Sequence, residues 1–97
     1  MSVKLNRDDH TVDTQRGSAY LTPKEFGILA YLMEHQNECT SPEDIYSNVW
    51  QAEPFACRPV IAVHIRHLRE KIEIDPADPR YVKVIFGQGY KIGKGRE

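Results

Sequence analysis

The fold is decided by residues 59–74, which read PVIAVHIRHLREKIEI. Aliphatic side chains recur in this stretch every three or four residues, which places them within about 60° of one another on a helix. The stripe that they form consists of Ile61, Ile65, Leu68 and Ile72. The opposite side carries Pro59, Val60, Val63, Arg66, His67 and Glu70. We therefore predict an amphipathic helix from Pro59 to about Ile74, with the first set buried and the second set exposed.

Two shorter helices are predicted before this one. Thr22 stands before Pro23, and Glu25 follows three residues after Thr22, which is the arrangement of a helix N-cap with a capping box. The apolar side chains that continue this helix are Phe26, Leu29, Ala30 and Met33. A Ser-Pro pair at residues 41–42 repeats the start signal and opens a helix that runs through Trp50. The second and third helices would then form a helix-turn-helix unit.

Short strands are predicted on both sides of the helices. Brief runs near residues 3–5, 11–14 and 19–21 indicate a small antiparallel sheet. The proline-containing segment at residues 75–79 ends the third helix. After it, two short strands on either side of Gly87-Gln88-Gly89 predict a C-terminal β-hairpin.

The order of these elements predicts an α+β fold of the winged helix-turn-helix type. A chain of 97 residues is long enough to bury a modest core without metal or disulfide support, so we expect one domain spanning residues 1–97. Within it we assign residues 1–21 to the sheet, residues 22–74 to a three-helix core and residues 80–93 to a wing hairpin.

Charge is distributed unevenly along the chain. The formal net charge is −1, yet residues 1–57 carry four basic and nine acidic side chains, whereas residues 58–97 carry nine basic and five acidic ones. The two parts therefore have formal charges of −5 and +4. Binding to phosphates responds to local potential more than to total charge, so the C-terminal part is compatible with a nucleic-acid partner.

The composition indicates a soluble globular protein without a membrane partner. The chain has neither an apolar run of membrane-spanning length nor a signal peptide. Its two cysteines, Cys39 and Cys57, have no CxxC partner, and this pattern fits a reducing compartment. We therefore expect a cytoplasmic location.

The sequence also argues against metal binding and catalysis. His64 and His67, with Cys57 nearby, fall short of the three or four convergent ligands that zinc sites use. Gly87-Gln88-Gly89 lacks the third glycine of a dinucleotide-binding motif. There is also no nucleophile elbow and no phosphate-binding loop. We therefore predict no enzyme activity, no metal and no cofactor.

From Val3 to Ile92 the sequence resembles the C-terminal effector domain of OmpR/PhoB-type response regulators. The matching segments are residues 21–26 with Leu29, residues 49–50, residues 63–72, residues 78–82 and residues 87–92. The resemblance implies a transcriptional regulator of a two-component system whose third helix reads the major groove of double-stranded DNA. It also implies a wing hairpin that touches the minor groove or nearby phosphates, and binding as tandem or head-to-tail pairs on direct repeats.

The predicted DNA contacts combine the residue pattern with this resemblance. Arginine can bond a guanine edge or a phosphate, histidine can donate to a base acceptor, and valine can meet a thymine methyl group. The resemblance adds Trp50 and Tyr90 as positions used for backbone contact, packing or both. It also makes Arg69 a contact, although its place near the buried stripe allows a structural ion pair instead. The full predicted set is Arg58, Val60, Val63, His64, Arg66, His67, Arg69, Lys83, Lys91, Trp50 and Tyr90.

The loop at residues 51–58 is a second predicted contact surface. In the family that the sequence resembles, this loop faces a partner helix, the DNA backbone or RNA polymerase. Within it, Glu53 and Phe55 are candidate contacts to a protein partner.

Two departures from the family pattern concern specificity. Many members begin the recognition helix with Arg-Thr and carry Asp shortly after, where this chain has Pro59, Val60 and Ala62. Many also place Arg just before the wing glycines, where this chain has Phe86. We expect Arg58 to replace the first contact one residue early, and we expect a target sequence that differs from those of better-known members.

The alternative to DNA binding is a winged helix that binds protein. The net charge of −1, the missing wing arginine and the apolar Val60 and Val63 favour it. The electropositive C-terminal part favours DNA, and the salt dependence of binding separates the two. The sequence leaves open the operator, the regulated genes, activation or repression, and whether a receiver domain precedes this module.

Overall fold

The computed structural model describes residues 3–93 and arranges them as a sheet, three helices and a hairpin. The strands of the sheet are β1 (Lys4–Asn6), β2 (Thr11–Thr14) and β3 (Gly17–Tyr20), paired antiparallel in the order β1-β2-β3. The helices are α1 (Pro23–Glu34), α2 (Pro42–Trp50) and α3 (Arg58–Ile72). The hairpin consists of β4 (Val82–Ile85) and β5 (Gly89–Ile92). The predicted α+β class and order of elements are confirmed.

The residues at the two chain ends lie outside the described part. They are Met1, Ser2 and residues 94–97, which include Lys94, Arg96 and Glu97 from the charge count above.

The first two helices begin where the capping signals predict. The Thr22 hydroxyl accepts a hydrogen bond from the Glu25 N–H at 3.2 Å, and the Glu25 carboxylate accepts one from the Thr22 N–H at 3.0 Å. At α2 the Ser41 hydroxyl accepts from the Asp44 N–H at 3.1 Å. These bonds satisfy donors that have no partner inside a helix, so local sequence fixes both starting points.

The third helix begins and ends differently from the prediction. It starts at Arg58, one residue before Pro59, and Cys57 precedes it without a side-chain cap. It ends at Ile72 rather than at Ile74, because Glu73 has an extended backbone and its carboxylate serves the next segment of chain.

The predicted stripe of α3 lies at the centre of the core. Its side chains are at most 1% exposed: Ile61, Ile65, Leu68 and Ile72. They share one hydrophobic cluster with Ile28, Leu29 and Leu32 of α1, Val12 of β2 and Ile92 of β5. Because this cluster takes up the inner side of α3, the opposite side of the helix faces solvent.

The hairpin is fixed to the C-terminal end of α3 by polar bonds. The buried Glu73 carboxylate accepts hydrogen bonds from the N–H groups of Arg80 at 2.7 Å, Tyr81 at 2.9 Å and Val82 at 2.8 Å. Arg69 Nε donates to the Val82 carbonyl at 3.0 Å. Bonds to charged groups are stronger than neutral ones, so these contacts hold the start of β4 firmly against α3.

A second attachment joins the hairpin to the segment before α2. Thr40 and Tyr90 exchange backbone hydrogen bonds of 2.8 and 2.9 Å as an isolated antiparallel bridge. The approach is close enough that a Cβ built on Gly89 would lie 2.7 Å from the Thr40 carbonyl carbon. The hairpin is therefore anchored along both of its strands.

Candidate nucleic-acid interface

The outer side of α3 brings together four of the predicted contacts. Val60 and Val63 keep 39% and 48% of their surface exposed, and the Arg66 side chain keeps 74%. His67 is half-exposed on the same side. We call Val60, Val63, Arg66 and His67 the reading face; it combines two apolar groups, one fixed cation and one imidazole.

Arg66 has only a weak partner on its own helix. Its Nε lies 3.8 Å from the Glu70 carboxylate one turn later, and both side chains are more than half exposed. Exposed pairs at this spacing contribute a few tenths of a kcal/mol, roughly 0.3–0.5 kcal/mol, to stability. The guanidinium can therefore exchange Glu70 for another anion at small cost.

One flank of the reading face is an aromatic cluster. The His64 ring meets the Trp50 ring edge-on, with centroids 5.4 Å apart, and Tyr46 stacks on Trp50 at 4.7 Å. Burial lowers the pKa of His64 and outweighs the opposing pull of the Glu25 carboxylate, so the imidazole is neutral at neutral pH. Trp50 packs against the core and forms an edge of this face at the same time.

Lys24 belongs to the same cluster and is absent from the sequence-based set. Its Nζ lies 4.9 Å from the centroid of the Trp50 ring, a cation–π geometry at the C-terminal end of α2. The sequence contains an indication of this contact. A cation in the first turn of a helix is disfavoured by the helix dipole, so its presence there indicates an interaction with another group.

A buried carboxylate stands behind His67. Glu25 is 3% exposed, its carboxylate is bonded to Lys71 Nζ at 2.7 Å, and His67 Nδ1 is 3.8 Å away. Burial alone would raise the pKa of Glu25, but the Lys71 ammonium and the Thr22 N–H outweigh it and lower that pKa. Glu25 is therefore ionised, and Lys71 is committed to it.

Two of the arginines that are predicted to contact DNA already have partners within the chain. Arg58 forms a two-point pair with Glu43, with Nε and Nη2 at 2.9 and 3.2 Å from the carboxylate oxygens. Arg69 is half-buried, and its Nε is bonded to the Val82 carbonyl. The partner of Arg69 is thus a backbone carbonyl of the hairpin, which differs from the carboxylate expected for a structural ion pair.

The remaining predicted contacts lie on the hairpin, on two opposite sides of it. Lys83 and Lys91 are paired directly across the strands, on one side. Tyr90 lies on the other side, opposite Val84, and packs against the core while its backbone bonds Thr40. Like charges opposite each other destabilise a hairpin, so the Lys83–Lys91 pair is a place where an anion would be stabilising.

The loop between α2 and α3 holds the predicted protein contacts. Phe55 is 85% exposed and Glu53 is exposed as well. Gln51 and Ala56 have φ angles of 55° and 51°, in the left-handed region that non-glycine residues seldom occupy. The loop therefore has a defined shape, and its contact to a partner stays a prediction.

The described residues contain neither a helix that could span a membrane nor a metal-binding cluster. Among residues 3–93, no helix has the length and apolarity needed to cross a bilayer. Within the same range, no group of three or more His, Cys, Asp or Glu side chains is placed to hold a metal ion. Cys57 is buried, whereas Cys39 is exposed.

Comparison with known proteins assigns the chain to a family. Residues 16–92 match the family model described as "Transcriptional regulatory protein, C terminal". The chain is 45% identical over 92 residues to the uncharacterized transcriptional regulatory protein YrkP of Bacillus subtilis, covering 94% of this chain and 40% of YrkP. It is 38% identical over 91 residues to the regulatory protein VanR of Enterococcus faecium, covering 93% of this chain and 39% of VanR.

A solved structure supports the same assignment. The DNA-binding domain of Bacillus subtilis CssR superimposes with a TM-score of 0.77 at 30% identity, covering 94% of this chain and 99% of that domain. The chain spans about two fifths of the length of YrkP and VanR and almost all of the CssR domain. The chain therefore belongs to the OmpR/PhoB-type family of winged-helix, DNA-binding effector domains of transcriptional regulators.

Proposed function

We propose that this domain binds double-stranded DNA sequence-specifically, with the reading face of α3 in the major groove and the β4–β5 hairpin beside the minor groove. The observation that carries this proposal is the exposure of Arg66 beside Val60 and Val63 on a helix whose other side is buried. Such a helix has the width and the polarity that a major groove accepts.

The chemistry of the reading face supports recognition of bases as well as phosphates. Arg66 carries a planar guanidinium that can bond the O6 and N7 of guanine together. Val60 and Val63 carry methyl groups that can contact the methyl group of thymine. His67 carries a ring N–H that can donate to a base acceptor. These four side chains differ from the Arg-Thr start of many family members, so we expect a different operator.

Phosphate contacts are proposed on both flanks of the reading face. On one flank, Lys24 over the Trp50 ring places a cation at the end of α2. On the other, Lys83 and Lys91 form the paired cations of the hairpin. Arg58 would join them only by leaving Glu43, and Arg69 only by leaving the Val82 carbonyl.

Replacing Arg66 by alanine tests the reading face directly. We expect a loss of about 1–3 kcal/mol in binding, roughly 5- to 150-fold in affinity, with relaxed preference at one base pair if Arg66 reads guanine. If Arg66 holds only phosphate, the loss would instead be equal for every sequence. The measurement is selection of bound sites from random DNA, followed by titration of the selected duplex and its single-base variants.

Lys4→Ala is the matched control for Arg66→Ala. It removes one positive charge from an exposed position on β1, a strand with no predicted DNA contact, and should leave affinity nearly unchanged. Equal affinity of wild type and Arg66→Ala for every duplex would remove Arg66 from the interface.

A protein-binding module is the second candidate function. The exposed apolar side chains Phe55, Val84 and Phe86 favour it, since large apolar side chains on a surface are often buried by a partner. In the same experiment this candidate predicts no enriched sequence from random DNA and no salt-dependent duplex binding.

The wider role of the protein is also part of the proposal. We infer that residues 1–97 form one non-enzymatic domain and that this domain is part of a two-component regulator. We place that regulator in the cytoplasm, the compartment that contains the DNA it would bind. We further infer that it binds direct repeats as tandem pairs. We also infer that the loop predicted at residues 51–58, whose residues 51–56 are exposed, contacts RNA polymerase through Glu53 and Phe55. The family assignment and the exposure of this loop support these inferences.

A further inference from the structure

Phe86, at the tip of the hairpin, has no packing role in the fold. Its side chain is 97% exposed, the largest value among the exposed large hydrophobic residues of the described chain. The turn is closed by a hydrogen bond of 2.9 Å from the Gln88 N–H to the Ile85 carbonyl, and Gly87 supplies the positive φ of 77° that such a turn needs. The turn therefore depends on glycine and places no demand on the residue at position 86.

The hairpin that carries this exposed ring is anchored at its base and also carries two cations. The Thr40–Tyr90 bridge, the Glu73 carboxylate and the Arg69 guanidinium hold the strands. Lys83 and Lys91 lie side by side on one side of the same hairpin. A hairpin with an apolar tip and a pair of ammonium groups complements a duplex, whose base steps are apolar and whose groove edges are lined with phosphates.

We propose that Phe86 acts as a wedge that enters the minor groove, partly unstacks one base step and kinks the duplex. The inference rests on the proposed DNA binding and adds a mode of recognition to it. Proteins that kink DNA from the minor groove insert apolar side chains in this way, with cations on the neighbouring phosphates. Specificity at the wing then comes from how easily a step deforms, so a pyrimidine–purine step is the expected site.

Fluorescence of 2-aminopurine, which stacking quenches, reports the wedge directly. The probe is the duplex selected from random DNA, with 2-aminopurine placed in turn at each adenine of the flank that the wing reaches. Wild-type protein should raise the fluorescence at one step and shorten the end-to-end distance of a dye-labelled duplex. Phe86→Ala should abolish both signals and weaken binding about fivefold to tenfold, without a change in melting temperature.

Two further variants separate a wedge from a general loss of apolar surface. Phe86→Leu keeps an apolar wedge and should retain part of both signals. Tyr20→Ala removes another largely exposed aromatic, on β3 of the N-terminal sheet, and should leave both signals unchanged.

The possible results distinguish this inference from the proposed function. Tight duplex binding with unchanged fluorescence and length, or signals that persist in Phe86→Ala, would overturn the wedge and leave DNA binding intact. A weaker Phe86→Ala complex without any fluorescence signal in the wild type would likewise overturn it. Failure of the wild type to bind any duplex would overturn the proposed function and the wedge together.

Discussion

Replacing Glu73 by alanine is expected to lower the free energy of unfolding by about 3–5 kcal/mol. The carboxylate is fully buried and accepts bonds from three consecutive N–H groups, those of residues 80–82. Alanine would leave these donors without partners, and two of them belong to the buried residues Tyr81 and Val82. Since small domains are stable by about 5–15 kcal/mol, the variant would lie close to its unfolding threshold.

Urea denaturation followed by circular dichroism measures this loss. Glu73→Gln keeps one acceptor oxygen and should show roughly half of the effect, because an amide NH₂ group then faces the remaining donors. Glu70→Ala, on the last turns of the same helix but exposed, should change stability by no more than about 0.5 kcal/mol. A loss below about 1 kcal/mol in Glu73→Ala would contradict this account of how the hairpin is held.

Replacing Gly89 by alanine is expected to cost about 2–3 kcal/mol and to detach the wing from Thr40. The added Cβ would overlap the Thr40 carbonyl oxygen and lie 2.7 Å from its carbon. Both obstacles are backbone atoms, so relief requires breaking the Thr40–Tyr90 bridge. Thermal denaturation measures the cost, and duplex binding of the folded variant reports how much affinity depends on wing position.

Gly87→Ala is the matched control for this substitution. Gly87 has a positive φ of 77°, but a Cβ there would meet nothing within 4 Å. Only the left-handed backbone would oppose alanine, at a cost of about 1–2 kcal/mol and without displacing the hairpin base. If Gly89→Ala were no more harmful than Gly87→Ala, and bound DNA as wild type does, the bridge would have no part in positioning the wing.

Local features of this fold are predictable from the sequence, because they depend on neighbours along the chain. The capping box at Thr22 and Glu25 and the Ser41 cap each depend on residues three apart, and the inner stripe of α3 depends on a spacing of three or four residues. The exposed reading face follows from the same periodicity. The prediction was less accurate at the C-terminal end of α3, because Glu73 has an extended backbone and its carboxylate bonds the N–H groups of residues 80–82.

The partners of the charged residues were not predictable in the same way. Arg58 meets Glu43, Arg69 meets the Val82 carbonyl and Lys24 meets Trp50. Each of these pairs joins two elements that only tertiary packing brings together. Position on a helix face therefore identifies a residue that faces outward, but it does not reveal whether a neighbouring element has already engaged it.

The salt dependence of duplex binding tests the central claim most directly, that α3 and the hairpin together meet the DNA backbone. The logarithm of the binding constant should fall linearly with the logarithm of salt concentration, with a slope of about −0.9 per phosphate neutralised. Removing Lys83 and Lys91 together by alanine substitution should make that slope shallower by roughly two phosphate contacts. A duplex affinity that did not change with salt, in the wild type and in the double variant alike, would contradict the claim.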